Sequence, residues 1–242
     1  MKIVNCYFTG SGETKKVSEF YQSFFTDSFL LDLSNPFVLR VAQTIEADLL
    51  ILSFPVYSQN IPLPVRKFLP YLFPKHVVIN ITYGQISPGN VLKEMETYFH
   101  QKGVRVIAGA IIPARHSYLP YTYKMDLTPL NKVIEKIKQG NYSNCMLPKR
   151  FKHPLASVGE RWRTQTNVKI IWNDFLCTKC NLCVESCPVG AIQMPFQINK
   201  KCLRCTKCIV TCPTQALIIK PKRWFIKYLN RKTKTSQIEL FL

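Results

Sequence analysis

Lys2-Ile3-Val4-Asn5-Cys6-Tyr7-Phe8-Thr9-Gly10-Ser11-Gly12-Glu13-Thr14 is the stretch that decides the first half of the fold. Its first seven residues read as a strand and its two glycines as a turn. Thr14–Phe25 then places Val17, Phe20, Tyr21 and Phe24 on one face of a helix. A strand-to-helix turn of this kind presents successive backbone N–H groups to an anion. Here the hydroxyls of Thr9, Ser11 and Thr14 join them, with Gly10, Gly12 and Glu13 completing the loop. The loop is not a Walker motif, because no Gly-Lys-Ser/Thr follows, and it is not a G-x-G-x-x-G turn.

The same alternation continues outward. Phe29–Leu33, Asp48–Phe54, His76–Tyr83 and Val104–Ile112 read as further strands. Between them lie a helix opened by Pro62 and Pro64 that stops near Pro70, and a second over Val91–Lys102. Leu130–Lys138 closes the series, with Gly140 just past its end. Five strands in this rhythm predict an α/β fold with a doubly wound parallel sheet, which binds ligands beyond the carboxyl ends of its strands. Pro55-Val56-Tyr57-Ser58 follows the third strand, Asn60 lies just beyond, and Thr82-Tyr83-Gly84 follows the fourth. Both loops lie on the edge that carries Thr9–Thr14, and an aromatic on each side of a slot suits a large flat ring.

The second half reads differently. Cys177, Cys180, Cys183 and Cys187 stand as C-x2-C-x2-C-x3-C before Pro188, and Cys202, Cys205, Cys208 and Cys212 repeat the spacing before Pro213. Each cysteine is displaced by 25 residues from its counterpart, an internal duplication. Three cysteines at intervals of three wrap one cubane corner by corner, while the fourth ligates the neighbouring cluster. The expected sets are Cys177, Cys180, Cys183 and Cys212 for cluster 1, and Cys202, Cys205, Cys208 and Cys187 for cluster 2. Structural zinc sites pair two C-x2-C arms across a longer insert and need no third evenly spaced cysteine.

These residues resemble a bacterial two-cluster ferredoxin over 172–219. The Thr-x-Ser-Gly-x-Thr loop and the two loops after it are similar to the phosphate and ring segments of a flavodoxin. In this order the chain resembles flavodoxin–ferredoxin fusion proteins of the EFR type. The resemblance implies a flavodoxin-like doubly wound five-stranded parallel sheet at 1–145 and a small α+β two-[4Fe–4S] ferredoxin-like domain at 168–220; the run of basic residues and prolines between them, outside the resemblance, reads as a basic linker at 146–167. A basic aromatic tail follows at 221–242. The resemblance also implies FMN, with its phosphate at Thr9–Thr14, ring contacts from Tyr57 and Tyr83, and backbone contacts from Ser58–Asn60 and Gly84. Arg115 and His116, after the fifth strand on the same edge, are weaker candidates for anion binding or proton transfer.

The 242 residues carry 33 Lys+Arg against 14 Asp+Glu, a formal net charge of +19. Residues 1–100 hold 8 basic and 8 acidic side chains, so the excess lies entirely later. Eight thiolates, two oxidised cubane cores and a flavin phosphate would lower the sum to roughly +13. No apolar run approaches the ~18 residues of a membrane span, and the N-terminus lacks a cleavable signal pattern. A cytoplasmic, reducing location is expected, where ten cysteines are not read as disulfides. The expected role is electron transfer between FMN, two clusters and an external redox protein that is acidic: a ferredoxin, a flavodoxin or a reductase. One alternative is a flavin-dependent reductase with its own quinone or organic-acid substrate. A second is a redox-sensing or nucleic-acid-binding module with structural clusters, although no recognition motif favours nucleic acid. The tail, with Trp224, Phe225, Tyr228 and Leu229 among its basic residues, is expected to pack on the ferredoxin unit. A membrane-surface helix is its alternative.

If the surplus charge steers an acidic carrier, reduction by that carrier should slow several-fold between about 0.01 and 0.15 M salt, as the Debye length falls from ~30 to ~8 Å. Stopped-flow rates against ionic strength check this; a salt-independent rate would remove the steering role.

Overall fold

A computed structural model describes residues 1–40, 43–158, 160–234 and 236–242. The sheet forms where apolar runs are long enough to be covered on both faces. Its strands are β1 (Ile3–Tyr7), β2 (Phe29–Asp32), β3 (Ile45–Pro55), β4 (Leu72–Tyr83) and β5 (Arg105–Pro113). They run parallel in the order β2-β1-β3-β4-β5. This is a doubly wound order whose switch point falls between β1 and β3. β3 and β4 begin several residues earlier than hydropathy suggests, since Ile45–Ala47 pair with Leu72–Pro74 in continuous register.

Helices α1 (Glu13–Phe24), α2 (Pro36–Arg40), α3 (Leu63–Phe68), α4 (Val91–Gln101) and α5 (Asn131–Lys138) accompany these strands. One face of the sheet buries Val4, Leu52, Ile79 and Val106 with Met95 and Phe99 of α4. The other buries Leu49, Ile51, Val78 and Ile107 with Val17 and Tyr21 of α1 and Ile134 of α5. Central strands apolar on both faces are what a sheet layered by helices requires. The fully buried asparagines among them are satisfied: Asn5 bonds Ser18, and Tyr21 Oη donates to Asn80 Oδ1 at 3.2 Å.

The basic stretch expected as a linker contains α6 (Glu160–Asn167), which runs directly into β6 (Val168–Trp172). The cysteine unit then holds α7 (Leu182–Glu185), β7 (Ile192–Gln193), β8 (Gln197–Ile198), α8 (Lys207–Thr211) and β9 (Leu217–Pro221). β6 pairs antiparallel with β9, and β7 with β8. Its core is thin. Cys187, Cys202 and Cys208 are buried beside Ala191, Ile192 and Leu217. A unit this small normally needs a staple other than apolar burial.

The tail differs most from expectation. It forms α9 (Arg223–Lys232) and then β10 (Glu239–Phe241), a sixth strand antiparallel to β5. The free edge of β5 would otherwise leave a row of backbone donors and acceptors unpaired, and β10 covers it. The return path is fixed by Lys234 N donating to Gln85 O at 3.0 Å and by a 2.8 Å bond between the Tyr83 and Ser236 hydroxyls. Among the described residues, no helix is long and apolar enough to cross a membrane.

The first loop meets the cysteine unit at Gly10. A Cβ built there would overlap the backbone of Cys205, so only glycine allows the two chains to approach this closely. Gly10→Ala should therefore cost about 1–3 kcal/mol, read as a lower midpoint in urea denaturation. An unchanged midpoint would mean that the two backbones can part without loss.

Candidate cofactor sites

At the carboxyl edge of the sheet, loops after β1, β3, β4 and β5 surround a cavity of about 470 Å³. That volume lies within the range of cofactor and small-ligand pockets. Gly10, Ser11, Glu13 and Thr14 line one part of it; Pro55–Gln59, Thr82–Gly84 and Ala114–Tyr118 line others. The sequence candidates Pro55, Val56, Tyr57, Ser58, Tyr83, Gly84, Arg115 and His116 thus share one cavity. Thr9, Gly12 and Asn60 stand outside the lining and support it. Thr9 Oγ1 accepts from Gly12 N at 3.1 Å, and Gly12 takes φ +92°, curling the loop before α1. Asn60 Nδ2 donates to Ala156 O and to a Glu160 carboxylate oxygen, each at 3.0 Å, and so ties down the linker.

The charge of Glu13 within a loop suited to anions is offset locally. Lys16 Nζ donates to both carboxylate oxygens at 3.1 Å, and Arg115 Nε lies 3.9 Å from one of them. Thr14 and Thr82 share a buried 2.7 Å hydroxyl–hydroxyl bond, which couples the loop to the end of β4. Arg115 Nε is buried without a hydrogen-bond partner, a donor left over beside this loop. Backbone N–H groups, an unspent guanidinium donor and a neutralised acid fit a phosphate.

Aromatic side chains form other parts of the cavity wall. Tyr57 stands edge-on to Phe8, and burial keeps its hydroxyl firmly protonated. His116 packs against Gly84, where a side chain would meet the imidazole. Its Nδ1 accepts from Tyr118 N at 3.2 Å, which leaves the proton of the neutral ring on Nε2. Desolvation drives the His116 pKa down to about 4. The site therefore offers a neutral imidazole at ordinary pH.

Three segments in the cavity wall carried no signal as site residues. From α6 come Glu160, Arg163, Thr164 and Asn167; from between two cysteines come Leu203 and Arg204; from α9 come Phe225, Tyr228 and Leu229. The spacing of the α9 residues was legible as one helical face, but its destination was not. Tyr118 Oη donates to Arg204 O at 3.0 Å, a direct bond between the β5 loop and the cysteine unit.

Within that unit the duplication is repeated in the backbone. Lys179 and Arg204 take φ +56°, and Asn181 and Thr206 take +62° and +71°, at positions 25 residues apart. These left-handed residues let each arm curl around its own cysteines. Sulfur acceptors recur too: Ala191 N lies 3.2 Å from Cys187 Sγ, and Ala216 N 3.3 Å from Cys212 Sγ. Cys177, Cys180, Cys183 and Cys212 line one small pocket with Trp172 and Phe196. Around Cys205, burial raises the thiol pKa to about 12, and the neighbouring Cys202 and Cys187 charges add to the rise. Cys212 thus lines the pocket of the first arm's three leading cysteines, and Cys187 packs in one buried cluster with Cys202 and Cys208 of the second arm. Among the described residues, no three His, Cys, Asp or Glu side chains converge on a point for a single ion. A four-iron body held at its corners instead needs its thiolates spread around it. The two sets differ in exposure: Cys180 is exposed, whereas Cys187, Cys202 and Cys208 are buried.

Comparison with known proteins agrees with this unit. The model of a 4Fe-4S binding domain matches residues 170–193, which contain the first cysteine arm. Eight cysteines between 177 and 212 fit two clusters. No curated protein matches the chain. Among solved structures, the chain is similar to a protein described as a flavoprotein from Bacteroides uniformis, at 15% identity and TM-score 0.39, covering 56% of this chain and 98% of that one. A second, described likewise and from Bacteroides eggerthii, has 16% identity and TM-score 0.40, over 57% and 98%. An NADH:FMN oxidoreductase in its apo form has 18% identity and TM-score 0.40, over 63% and 96%.

The His116 environment sets a pH dependence. Between the ordinary imidazole value of 6.5 and about 4, the unfolded chain takes up a proton that the folded chain refuses. Stability should thus fall as pH drops through this window, by up to about 3 kcal/mol. His116→Gln should flatten that part of a plot of denaturation midpoint against pH; an identical slope would place the dependence elsewhere.

Proposed function

We propose that the chain is an electron-transfer flavo-iron–sulfur protein, with FMN in the sheet-edge cavity and two [4Fe–4S] clusters in the cysteine unit. The observation that carries this reading is the meeting of Cys205 with Gly10. The second cysteine set reaches the wall of the cavity itself, and Leu203 and Arg204 form part of that wall. Bound in these places, FMN would exchange electrons in pairs or singly and each cubane would carry one at a time.

The chain's own residues then have distinct tasks. The backbone of Gly10, Ser11, Glu13 and Thr14 and the Arg115 side chain would hold the phosphate, while Lys16 keeps Glu13 from repelling it. Tyr57 and Tyr83 would flank the ring, and His116 Nε2 would offer it a hydrogen bond without a charge. Leu203, Phe225 and Leu229 would supply apolar wall between the loops and the cysteine unit. Cys177, Cys180, Cys183 and Cys212 would hold the cluster on the solvent side; Cys202, Cys205, Cys208 and Cys187 would hold the one beside the cavity. Cys180 and neighbouring Lys179, on the exposed side, would meet an acidic redox partner.

An anaerobic preparation of the full chain, supplied with iron, sulfide and FMN, should hold about eight iron atoms and one flavin. Metal and sulfide analysis with an absorption spectrum measures both. Zinc in place of iron, or no flavin retained, would overturn the reading.

A further inference from the structure

Three arginines and two glutamates line the cavity, and the arginines hold more hydrogen-bond donors than the protein itself satisfies. Buried guanidinium nitrogens of Arg115, Arg163 and Arg204 lack hydrogen-bond partners, and all three arginines line this cavity. An orphaned buried donor costs free energy, and three around one space call for an acceptor there. Arg115 belongs to the phosphate end, beside Glu13. Arg163 and Arg204 are anchored elsewhere. Arg163 Nη2 donates to Ala156 O at 2.7 Å, next to the linker held by Asn60, and Arg204 Nε donates to Val168 O at 3.0 Å where α6 enters β6. Each guanidinium is thus held by one backbone carbonyl and keeps another nitrogen unspent. The acid in this region, Glu160, accepts from Asn60 Nδ2 and is close enough to Arg163 for that charge to favour its ionised form, so it offsets part of the Arg163 charge and leaves the unpaired nitrogens as the feature that calls for an acceptor.

We propose that Arg163 and Arg204 form a second anion site in the cavity, one that binds the carboxylate of a small organic acid alongside the cofactor. A guanidinium is planar and matches a carboxylate's two oxygens, so the residue type suits this group. Phe225, Tyr228 and Leu229 of α9 supply an apolar wall for the body of such a molecule. The two arginines come from the linker helix and the cysteine unit, so the ligand would be enclosed only when both pack on the sheet. The inference rests on the reading of Gly10–Thr14 and Arg115 as the cofactor's phosphate end.

Benzoate is the probe, with benzyl alcohol as its uncharged counterpart. The full chain, reconstituted anaerobically with iron, sulfide and FMN, is titrated with each while the flavin absorption band is followed. Benzoate should perturb the band saturably, half-maximally below ~10 mM, and benzyl alcohol at least about tenfold more weakly. Arg163→Gln and Arg204→Gln should each weaken benzoate about 10- to 100-fold, as loss of a charge-assisted hydrogen bond implies. Lys75→Gln, at an exposed surface pair, should leave its affinity unchanged. Iron and flavin contents matching the parent show that a variant has folded; if Arg204→Gln loses iron, Arg163→Gln decides alone. No saturable response to benzoate, equal response to benzyl alcohol, or unchanged benzoate affinity in the folded arginine variants would overturn the second site. Flavin retention is measured first, on the same preparation. A chain that keeps no flavin overturns the cofactor reading, and calorimetry with benzoate on that chain then tests the anion site independently.

Discussion

Two stretches of backbone, at Gly10 and Cys205, lie against each other with no room for even a methyl group between them. Much of the molecule is arranged to permit this approach. The Gly10 loop is held from below by Thr9, whose N–H donates to buried Ser34 Oγ at 2.7 Å. The Cys205 loop is held from the side by Tyr118, through Arg204 O. A contact made of main chain on both sides transmits position without the slack of long side chains. The cysteine unit is thereby seated on the ligand edge of the sheet rather than tethered near it.

The cysteine unit depends on this seating, and on its thiols, more than on apolar burial. Its buried residues are few, and half of those in its core cluster are cysteines. Left-handed residues at matching positions of the two arms turn each arm inward, and backbone N–H groups point at Cys187 and Cys212 sulfurs. Hydrogen bonds to sulfur and limited solvent are the protein's means of tuning such a centre. The contrast between exposed Cys180 and buried Cys187, Cys202 and Cys208 gives the unit an outside and an inside.

The strong positive charge now separates into parts. Some of it is internal: Arg115, Arg163 and Arg204 face the cavity, and Lys136 is nearly buried, donating to Ile107 O at 2.9 Å. Some joins segments, as where Lys152 pairs with Glu94 at 2.9 Å and Arg150 with Glu239 of the returning strand. Such pairs already cancel within the net charge, so the unpaired basic side chains at the surface are what a partner at a distance would meet.

The central parallel strands were legible because their residues are apolar on both faces, a demand that shows in composition alone. The cluster cysteines were legible because ligand spacing within a duplicated turn is a local property of the chain. Tyr57 and Tyr83 could be placed on one edge because strand direction follows from the alternation. Arg163, Leu203, Arg204 and Leu229 could not be assigned to the cavity: each reaches it only because separate segments pack together, and nothing in its neighbours records the destination. The tail shows the same limit. Its aromatic spacing predicted a helical face, but the surface that face covers, and the pairing of Glu239–Phe241 with β5, depend on an edge left open more than a hundred residues earlier. Local periodicity determines what an element is; long-range packing, which local sequence does not encode, decides what it touches.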